Sequence, residues 1–193
     1  MYPQFNVATS LTWFRIAAVP AVVGAFYWWP GEWGRPVSCL IFSLAGITDA
    51  LDGYLARRMG QTSEFGAFLD PVADKLMVST ALLVIVQANP EILIALVAAT
   101  IIGREIAVSA LREWMAELGS RKRVAVSGFG KVKTTIQMIG VGCMLFTHPL
   151  MGLPVYDVGL ALLIAAAVVT LWSMVGYIRA AWPRRVAAPG SVP

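Results

Sequence analysis

Long apolar stretches separated by short polar connections make up most of this chain. Turn residues interrupt the apolar pattern, for example at 31–36 and 89–91. The stretches approach the roughly 20 residues that a helix needs to cross a bilayer. There are six of them, at about 10–29, 36–57, 66–88, 91–112, 131–148 and 155–180. The pattern predicts an all-α polytopic membrane protein with six transmembrane helices in one domain, 1–193, that ends in a flexible tail at about 186–193.

Composition supports a membrane protein. Of the 193 residues 58% are hydrophobic and 13% are charged, which is too apolar for a soluble domain of this size. The first ten residues contain no Lys or Arg, so we expect no cleaved signal peptide. Cys39 and Cys143 both lie inside apolar stretches and are expected to be small core residues rather than a disulfide pair.

The basic residues are unevenly distributed over the connections. The six-helix pattern leaves only Arg35 clearly on one side, whereas the residues expected on the other side are Arg57, Arg58, Arg112, Arg121, Lys122, Arg123, Lys131, Lys133, Arg179, Arg184 and Arg185. By the positive-inside rule both termini are cytoplasmic. The net charge of +4 then reflects orientation and anionic lipid, and we expect no nucleic-acid partner.

Four aspartates fall close together in this otherwise apolar chain. If the flanking segments are helical, each segment carries one pair of acids on a single face, with glycine or alanine beside them. Small residues let two helices approach closely, so the acids can converge. Pro71 lies inside the third stretch, where we expect a kink rather than a helix start. The converging acids are Asp49, Asp52, Asp70 and Asp74.

Such a cluster predicts a metal site. Uncompensated carboxylates in a lipid-embedded site are too costly, and ion pairs with Lys75, Arg57 or Arg104 explain a single acid better than four. Oxygen ligands favour Mg²⁺ or Mn²⁺, and two ions balance four acids. Metals held in this way serve either to bind a diphosphate during phosphoryl transfer or to be transported themselves.

The embedded charges have similar depths. Asp49, Lys75 and Arg104 all fall in the cytoplasmic half of their predicted helices. We therefore expect a polar cavity that opens to the cytoplasm, where a water-soluble reactant can meet a lipid.

The spacing of these acids matches a known signature, D-x2-D-G-x2-A-R-x8-G-x3-D-x3-D. On this signature the chain resembles the CDP-alcohol phosphotransferase family. The similarity extends to three further segments, residues 5–15, 103–119 and 130–137. The first of these has Ala8 at a position where the family commonly has proline. The similarity is greatest to members that use sn-glycerol 3-phosphate as acceptor. The matching residues are Asp49, Asp52, Gly53, Ala56, Arg57, Gly66, Asp70 and Asp74.

The resemblance implies an activity and a set of roles. The phosphatidyl group of CDP-diacylglycerol passes to sn-glycerol 3-phosphate, giving phosphatidylglycerophosphate and CMP in phospholipid biosynthesis. The four acids hold Mg²⁺ or Mn²⁺, and Asp74 is also the general base. Gly53, Arg57 and Ser63 bind the CDP-lipid. The resemblance also implies a homodimer in the bacterial inner membrane, in contact with membrane lipids.

The acceptor's phosphate needs cations of its own. Arg104 and Arg112 lie two helical turns apart on one face of the fourth predicted helix, and Lys131 and Lys133 begin the fifth. These four residues are the predicted glycerol-phosphate site. The basic run 121–123 is expected to be solvated and near anionic lipid.

Three other interpretations remain. The acceptor can be different, such as inositol phosphate or serine, within the same family. A divalent-cation transporter also needs embedded acids, but it has no use for the glycine and arginine positions of the signature. An intramembrane prenyltransferase also binds a diphosphate through paired Asp motifs, but six helices are too few for that family.

Overall fold

The protein is all-α in a computed structural model. Side chains are described for 12–49, 69–111, 113–115 and 133–174, and the backbone for 7–59, 64–117 and 128–181. Within those backbone ranges no strand forms beyond an isolated bridge between Leu150 and Leu153. The prediction of an all-α fold is thus confirmed. The helices are α1 (Val7–Trp28), α2 (Gly34–Met59), α3 (Glu64–Ala88), α4 (Ile92–Glu117), α5 (Gly128–Phe146) and α6 (Val155–Ala181), with a 3₁₀ turn at Gly31–Trp33.

Each of these helices overlaps one predicted apolar stretch. Two described segments are long and apolar enough to cross a membrane, Ile92–Met115 of α4 and Val155–Met174 of α6. Large apolar side chains, among them Leu96, Ile106 and Trp172, are exposed on these two helices. An exterior of this kind suits contact with lipid. That all the helices cross the membrane stays a prediction.

The helices pack around a shared apolar core. α1 packs against α2 and α3, α4 packs against α3 and α6, and α5 packs against α2, α3 and α6. Ser38 of α2 donates a hydrogen bond to the Val22 carbonyl of α1 at 2.9 Å. Cys39 donates to the Gly142 carbonyl of α5 at 3.2 Å, and both cysteines are free, as expected. The largest buried core side chains include Phe42, Leu82, Ile85, Ile101, Leu145 and Leu163.

α5 and α6 approach each other closely at a pair of glycines. A Cβ atom added to Gly159 would lie 2.8 Å from the Cβ of Cys143 and 2.9 Å from the Gly140 carbonyl oxygen. A Cβ atom added to Gly140 would lie 3.0 Å from the Leu163 side chain. Only glycine permits this backbone approach, so the pair holds α5 directly against α6.

Candidate active site

A buried arginine joins acids from two helices. Arg15 of α1 is 2% exposed, and its Nη1 donates to Oδ1 of Asp49 on α2. Its Nη2 donates to Oδ1 of Asp70 on α3 at 3.0 Å. Thr12, one turn earlier on α1, donates its hydroxyl to the same Asp70 oxygen at 2.5 Å. The planar guanidinium presents several donors in fixed directions, so it can bind both carboxylates.

The local sequence explains this arrangement. Thr12 and Arg15 are three residues apart and therefore lie on one face of α1. Since α1 packs against both α2 and α3, that face meets the acids of both helices. A buried guanidinium is costly without anionic partners, and the two carboxylates provide them. α1 therefore contributes two residues to the site although it lies outside the signature.

Asp74 lies one turn beyond Asp70 on α3. Pro71 falls inside that helix, and α3 continues through it, as the sequence predicts. Asp74 lines the same cavity as Asp49. It interacts electrostatically with both Asp49 and Arg15. Asp49 and Asp70 thus contact Arg15 of α1, whereas Asp49 and Asp74 line the cavity. Asp49 belongs to both groups.

Several predicted site residues lie outside the side chains that the structure describes. The metal ligand Asp52, the CDP-lipid residues and two of the four acceptor cations belong to this group. Among the described side chains, no group of three acids or other ligands is placed to hold a metal ion. The four-acid cluster therefore stays a prediction. The residues outside the description are Asp52, Gly53, Arg57, Ser63, Arg112 and Lys131.

The acids that are described have the chemistry of a hard divalent cation's ligands. Asp49 and Asp70 contribute only carboxylate oxygens, and they already converge on a cationic group, the Arg15 guanidinium. Their side chains are 46% and 42% exposed, so each retains accessible oxygens. The residues present thus fit the divalent ion that the signature implies.

A cavity of about 830 Å³ adjoins these acids. Its polar end contains Asp49, Asp74, Glu105 and Gln137, contributed by α2, α3, α4 and α5. The cavity therefore has the two surfaces that a lipid with a charged head group requires. Most of its remaining lining is apolar and includes Phe42, Ile47, Met138, Ile139, Phe146 and Val155.

Two of the predicted acceptor cations come together beside this polar end. Nη2 of Arg104 on α4 lies 3.3 Å from Oε1 of Glu105. Lys133 of α5 is 6% exposed and interacts electrostatically with both Arg104 and Glu105. Lys75 of α3, another embedded charge, instead donates to the Ser109 hydroxyl on α4. Arg104 and Lys133 are thus the described part of the predicted phosphate site.

The sequence interpretation gave no role to four polar residues of this region, namely Thr12, Arg15, Glu105 and Gln137. Each lies within a mainly apolar helix, which is a signal that the sequence already contains. Gln137 donates to Oε1 of Glu105 at 3.3 Å, so Glu105 and Gln137 form one polar cluster with Arg104. Their partners lie on other helices, and that pairing depends on tertiary packing.

Comparisons with known proteins agree with this architecture. Residues 5–172 match the model of the CDP-alcohol phosphatidyltransferase family, and the chain belongs to that family. The family resemblance seen in the sequence is confirmed. CDP-alcohol phosphatidyltransferases are membrane proteins that generally use divalent metal ions.

Curated relatives are similar over nearly their whole length. A Salmonella choleraesuis CDP-diacylglycerol–glycerol-3-phosphate 3-phosphatidyltransferase is 51% identical over 178 residues, which is 92% of this chain and 96% of the relative. The Pectobacterium atrosepticum protein of the same name is 52% identical with the same coverage. The crystal structure of Mycobacterium tuberculosis phosphatidylinositol phosphate synthase has a TM-score of 0.63 and 21% identity. The structural alignment covers 93% of this chain and 94% of the Mycobacterium tuberculosis chain, and it supports the fold alone.

Proposed function

We propose that this protein is a CDP-diacylglycerol-dependent phosphatidyltransferase. It transfers the phosphatidyl group of CDP-diacylglycerol to sn-glycerol 3-phosphate and releases CMP. The product, phosphatidylglycerophosphate, leads to phosphatidylglycerol and cardiolipin. The observation that carries the proposal is the position of Asp49 and Asp74 at the polar end of a mainly apolar cavity. The names and the high identity of the curated relatives support the same reaction.

Asp74 is the general base in this reaction. An alcohol is a poor nucleophile at neutral pH, so a carboxylate must take its proton as it attacks. The primary hydroxyl oxygen of the acceptor forms a bond to the phosphorus that carries diacylglycerol. The bond from that phosphorus to the bridging oxygen of the diphosphate breaks, and CMP leaves with this oxygen. The hydroxyl proton passes to Asp74.

The acids also bind the cofactor. Asp49, Asp52, Asp70 and Asp74 hold two Mg²⁺ or Mn²⁺ ions, which neutralise the diphosphate and stabilise the departing CMP. From α1, Arg15 orients Asp49 and Asp70 by donating to both carboxylates, and Thr12 donates to Asp70 as well.

The two substrates use different parts of the protein. Gly53, Arg57 and Ser63 bind the cytidine nucleotide, and the apolar part of the cavity receives diacylglycerol. The acceptor's phosphate binds the cations contributed by α4 and α5. A dianion needs several positive charges, and Arg104 and Lys133 already lie together. The full cationic set is Arg104, Arg112, Lys131 and Lys133.

The remaining proposals concern the membrane. All six helices cross the bacterial inner membrane, both termini are cytoplasmic, and the cavity opens to the cytoplasm. The protein forms a homodimer in contact with membrane lipids. The uneven distribution of Lys and Arg supports the orientation. A cytoplasmic opening also suits the water-soluble substrate and CMP.

An acceptor panel tests the reaction. Purified protein in mixed micelles with CDP-diacylglycerol is supplied with sn-glycerol 3-phosphate, glycerol, inositol phosphate or serine, and CMP release is measured. We expect sn-glycerol 3-phosphate to be by far the best acceptor. Faster release with inositol phosphate or serine would assign another acceptor within the family. Metal uptake into proteoliposomes without CDP-lipid would instead support the transporter interpretation.

A further inference from the structure

Glu105 and Gln137 form a polar pair that has no role in the proposed reaction as described above. Gln137 of α5 is 1% exposed, and its Nε2 donates to Oε1 of Glu105 on α4 at 3.3 Å. The same Glu105 oxygen lies 3.3 Å from Arg104 Nη2. Both Glu105 and Gln137 line the cavity that contains Asp49 and Asp74.

The pair spans two helices that do not pack together. Among the described residues, α5 packs against α2, α3 and α6, and α4 packs against α3 and α6. The side chains of Glu105 and Gln137 therefore meet across the cavity end rather than within a helix contact. Because both residues line the cavity, the pair borders the space that a ligand would occupy.

Glu105 determines the orientation of the Gln137 amide. A carboxylate oxygen accepts hydrogen bonds, and the amide turns its NH₂ group toward Glu105, to which Nε2 donates. Its carbonyl oxygen, Oε1, is then directed away from that carboxylate. Oε1 is buried and has no hydrogen-bond partner among the side chains and backbone that the structure describes. Buried acceptors are nearly always paired, so a donor is missing from this position.

We propose that Gln137 binds the secondary hydroxyl of the acceptor and that Glu105 is the positioning residue that orients the amide for it. This inference rests on the proposed function. Glycerol 3-phosphate offers a phosphate, a primary hydroxyl and a secondary hydroxyl. The cations take the phosphate and Asp74 takes the proton of the primary hydroxyl, so the secondary hydroxyl remains. A hydroxyl can donate to a carbonyl oxygen, whereas a phosphate dianion offers only acceptors.

The charges around the pair favour the acceptor over the CDP-lipid as its ligand. Arg104 contacts Glu105 directly, and Lys133 lies one helical turn before Gln137 on α5. Both cations belong to the proposed acceptor site. Asp74 interacts electrostatically with Glu105, so the proposed base lies close to the same polar cluster.

The test compares two acceptors that differ in a single group. One is sn-glycerol 3-phosphate, and the other is 3-hydroxypropyl phosphate, which keeps the phosphate and the primary hydroxyl but lacks the secondary one. We expect the wild-type kcat/KM to favour glycerol 3-phosphate by about a hundredfold, because its analogue leaves the Gln137 carbonyl unpaired. In Gln137→Leu the preference should fall below about tenfold, since no unpaired acceptor then remains.

Glu105→Gln is the second variant. A neutral amide can donate as well as accept, so it no longer determines the orientation of Gln137, and the preference should fall to an intermediate value. The preference is a ratio measured on one preparation, so partial unfolding of a variant does not change it. Gln87→Leu and Glu91→Gln are the matched controls, since both lie outside the cavity lining, and they should keep the wild-type ratio.

The outcomes separate this inference from the proposed function. If the wild type does not use glycerol 3-phosphate, both the proposed function and this inference are wrong. If the wild type uses it but Gln137→Leu keeps the full preference, the inference alone is wrong. A rise in KM for CDP-diacylglycerol with an unchanged acceptor ratio would assign the pair to the nucleotide and overturn the inference as well.

Discussion

Nη2 of Arg15 lies 3.0 Å from Oδ1 of Asp70, and the same guanidinium also donates to Asp49. One buried cation therefore fixes the spacing between two acids that the sequence places 21 residues apart, on α2 and α3. Carboxylates that are held at a fixed separation need less reorganisation when they bind a ligand, which is the benefit of preorganisation.

Replacing Arg15 tests this role. Arg15→Ala should lower both the melting temperature and CMP release, because two acids lose their shared partner. Loss of one partner from a fully buried pair costs about 3–5 kcal/mol, and the half-exposed acids here make the cost smaller. Arg15→Lys keeps the charge but cannot donate to both acids in the same geometry, so it should be intermediate. Thermal unfolding in detergent and CMP release measure the two effects.

Arg35→Ala is the control for that series. Arg35 lies over the Phe26 ring at 5.3 Å and does not line the cavity. Its replacement should have little effect on CMP release. Wild-type stability and activity in Arg15→Ala would contradict the role of Arg15.

Asp74 should be indispensable for turnover. Asp74→Asn removes the base and one metal ligand while keeping the size of the side chain, so CMP release should fall by more than about a hundredfold. Folding and CDP-lipid binding should persist, since the other acids remain. Asp157→Asn, an exposed acid in the first turn of α6, is the control. CMP release at the wild-type rate in Asp74→Asn would remove Asp74 from the role of base.

Metal removal should abolish the reaction reversibly. A chelator should stop CMP release, and millimolar Mg²⁺ or Mn²⁺ should restore it. Ca²⁺ should not restore it, because its longer and looser coordination fits a diphosphate site poorly. Activity that resists chelation would contradict the metal proposal.

The cationic site should act on one substrate only. Lys133→Met preserves the length of the apolar stem but removes the charge, so the KM for glycerol 3-phosphate should rise and the KM for CDP-diacylglycerol should not. A charge-assisted hydrogen bond contributes about 1.5–3 kcal/mol, so kcat/KM should fall on the order of tenfold to a hundredfold. Arg121→Ala in the basic run serves as the control. A variant that weakens only the CDP-lipid would reassign Lys133 to the diphosphate.

The glycine contact between α5 and α6 gives a prediction about stability. Gly159→Ala places a methyl group 2.8 Å from Cys143 Cβ and 2.9 Å from the Gly140 carbonyl oxygen, so the helices must separate. Overpacking of this kind costs about 1–3 kcal/mol. Gly103→Ala is the matched control, because a Cβ there meets nothing within 4 Å, and it should be neutral or slightly stabilising. Equal melting temperatures for the two variants would argue against the close contact.

The sequence predicts the helices well because each helix corresponds to one continuous apolar stretch, which can be recognised without knowledge of the tertiary packing. It also identifies Asp49, Asp70 and Asp74, whose spacing on helix faces can be counted, and it groups Arg104 with Lys133 by charge. It does not predict that Arg15 pairs with Asp49 and Asp70, because nothing in the chain order indicates that α1 packs against both α2 and α3. The contact between Glu105 and Gln137 is unpredicted for the same reason, since it joins α4 to α5.

The contact at Gly140 and Gly159 has a consequence for the lipid substrate. α5 contributes Met138, Ile139 and Phe146 to the apolar lining of the cavity, whereas Val155 is the only lining residue among the described side chains of α6. α5 packs against α2, α3 and α6, so its direct backbone contact with α6 is one of the contacts that fix the position of this wall. A helix that contributes little to the lining thus still affects the width of the cavity. Changes along α6 can alter which acyl chains fit while every acid and cation of the reaction stays the same.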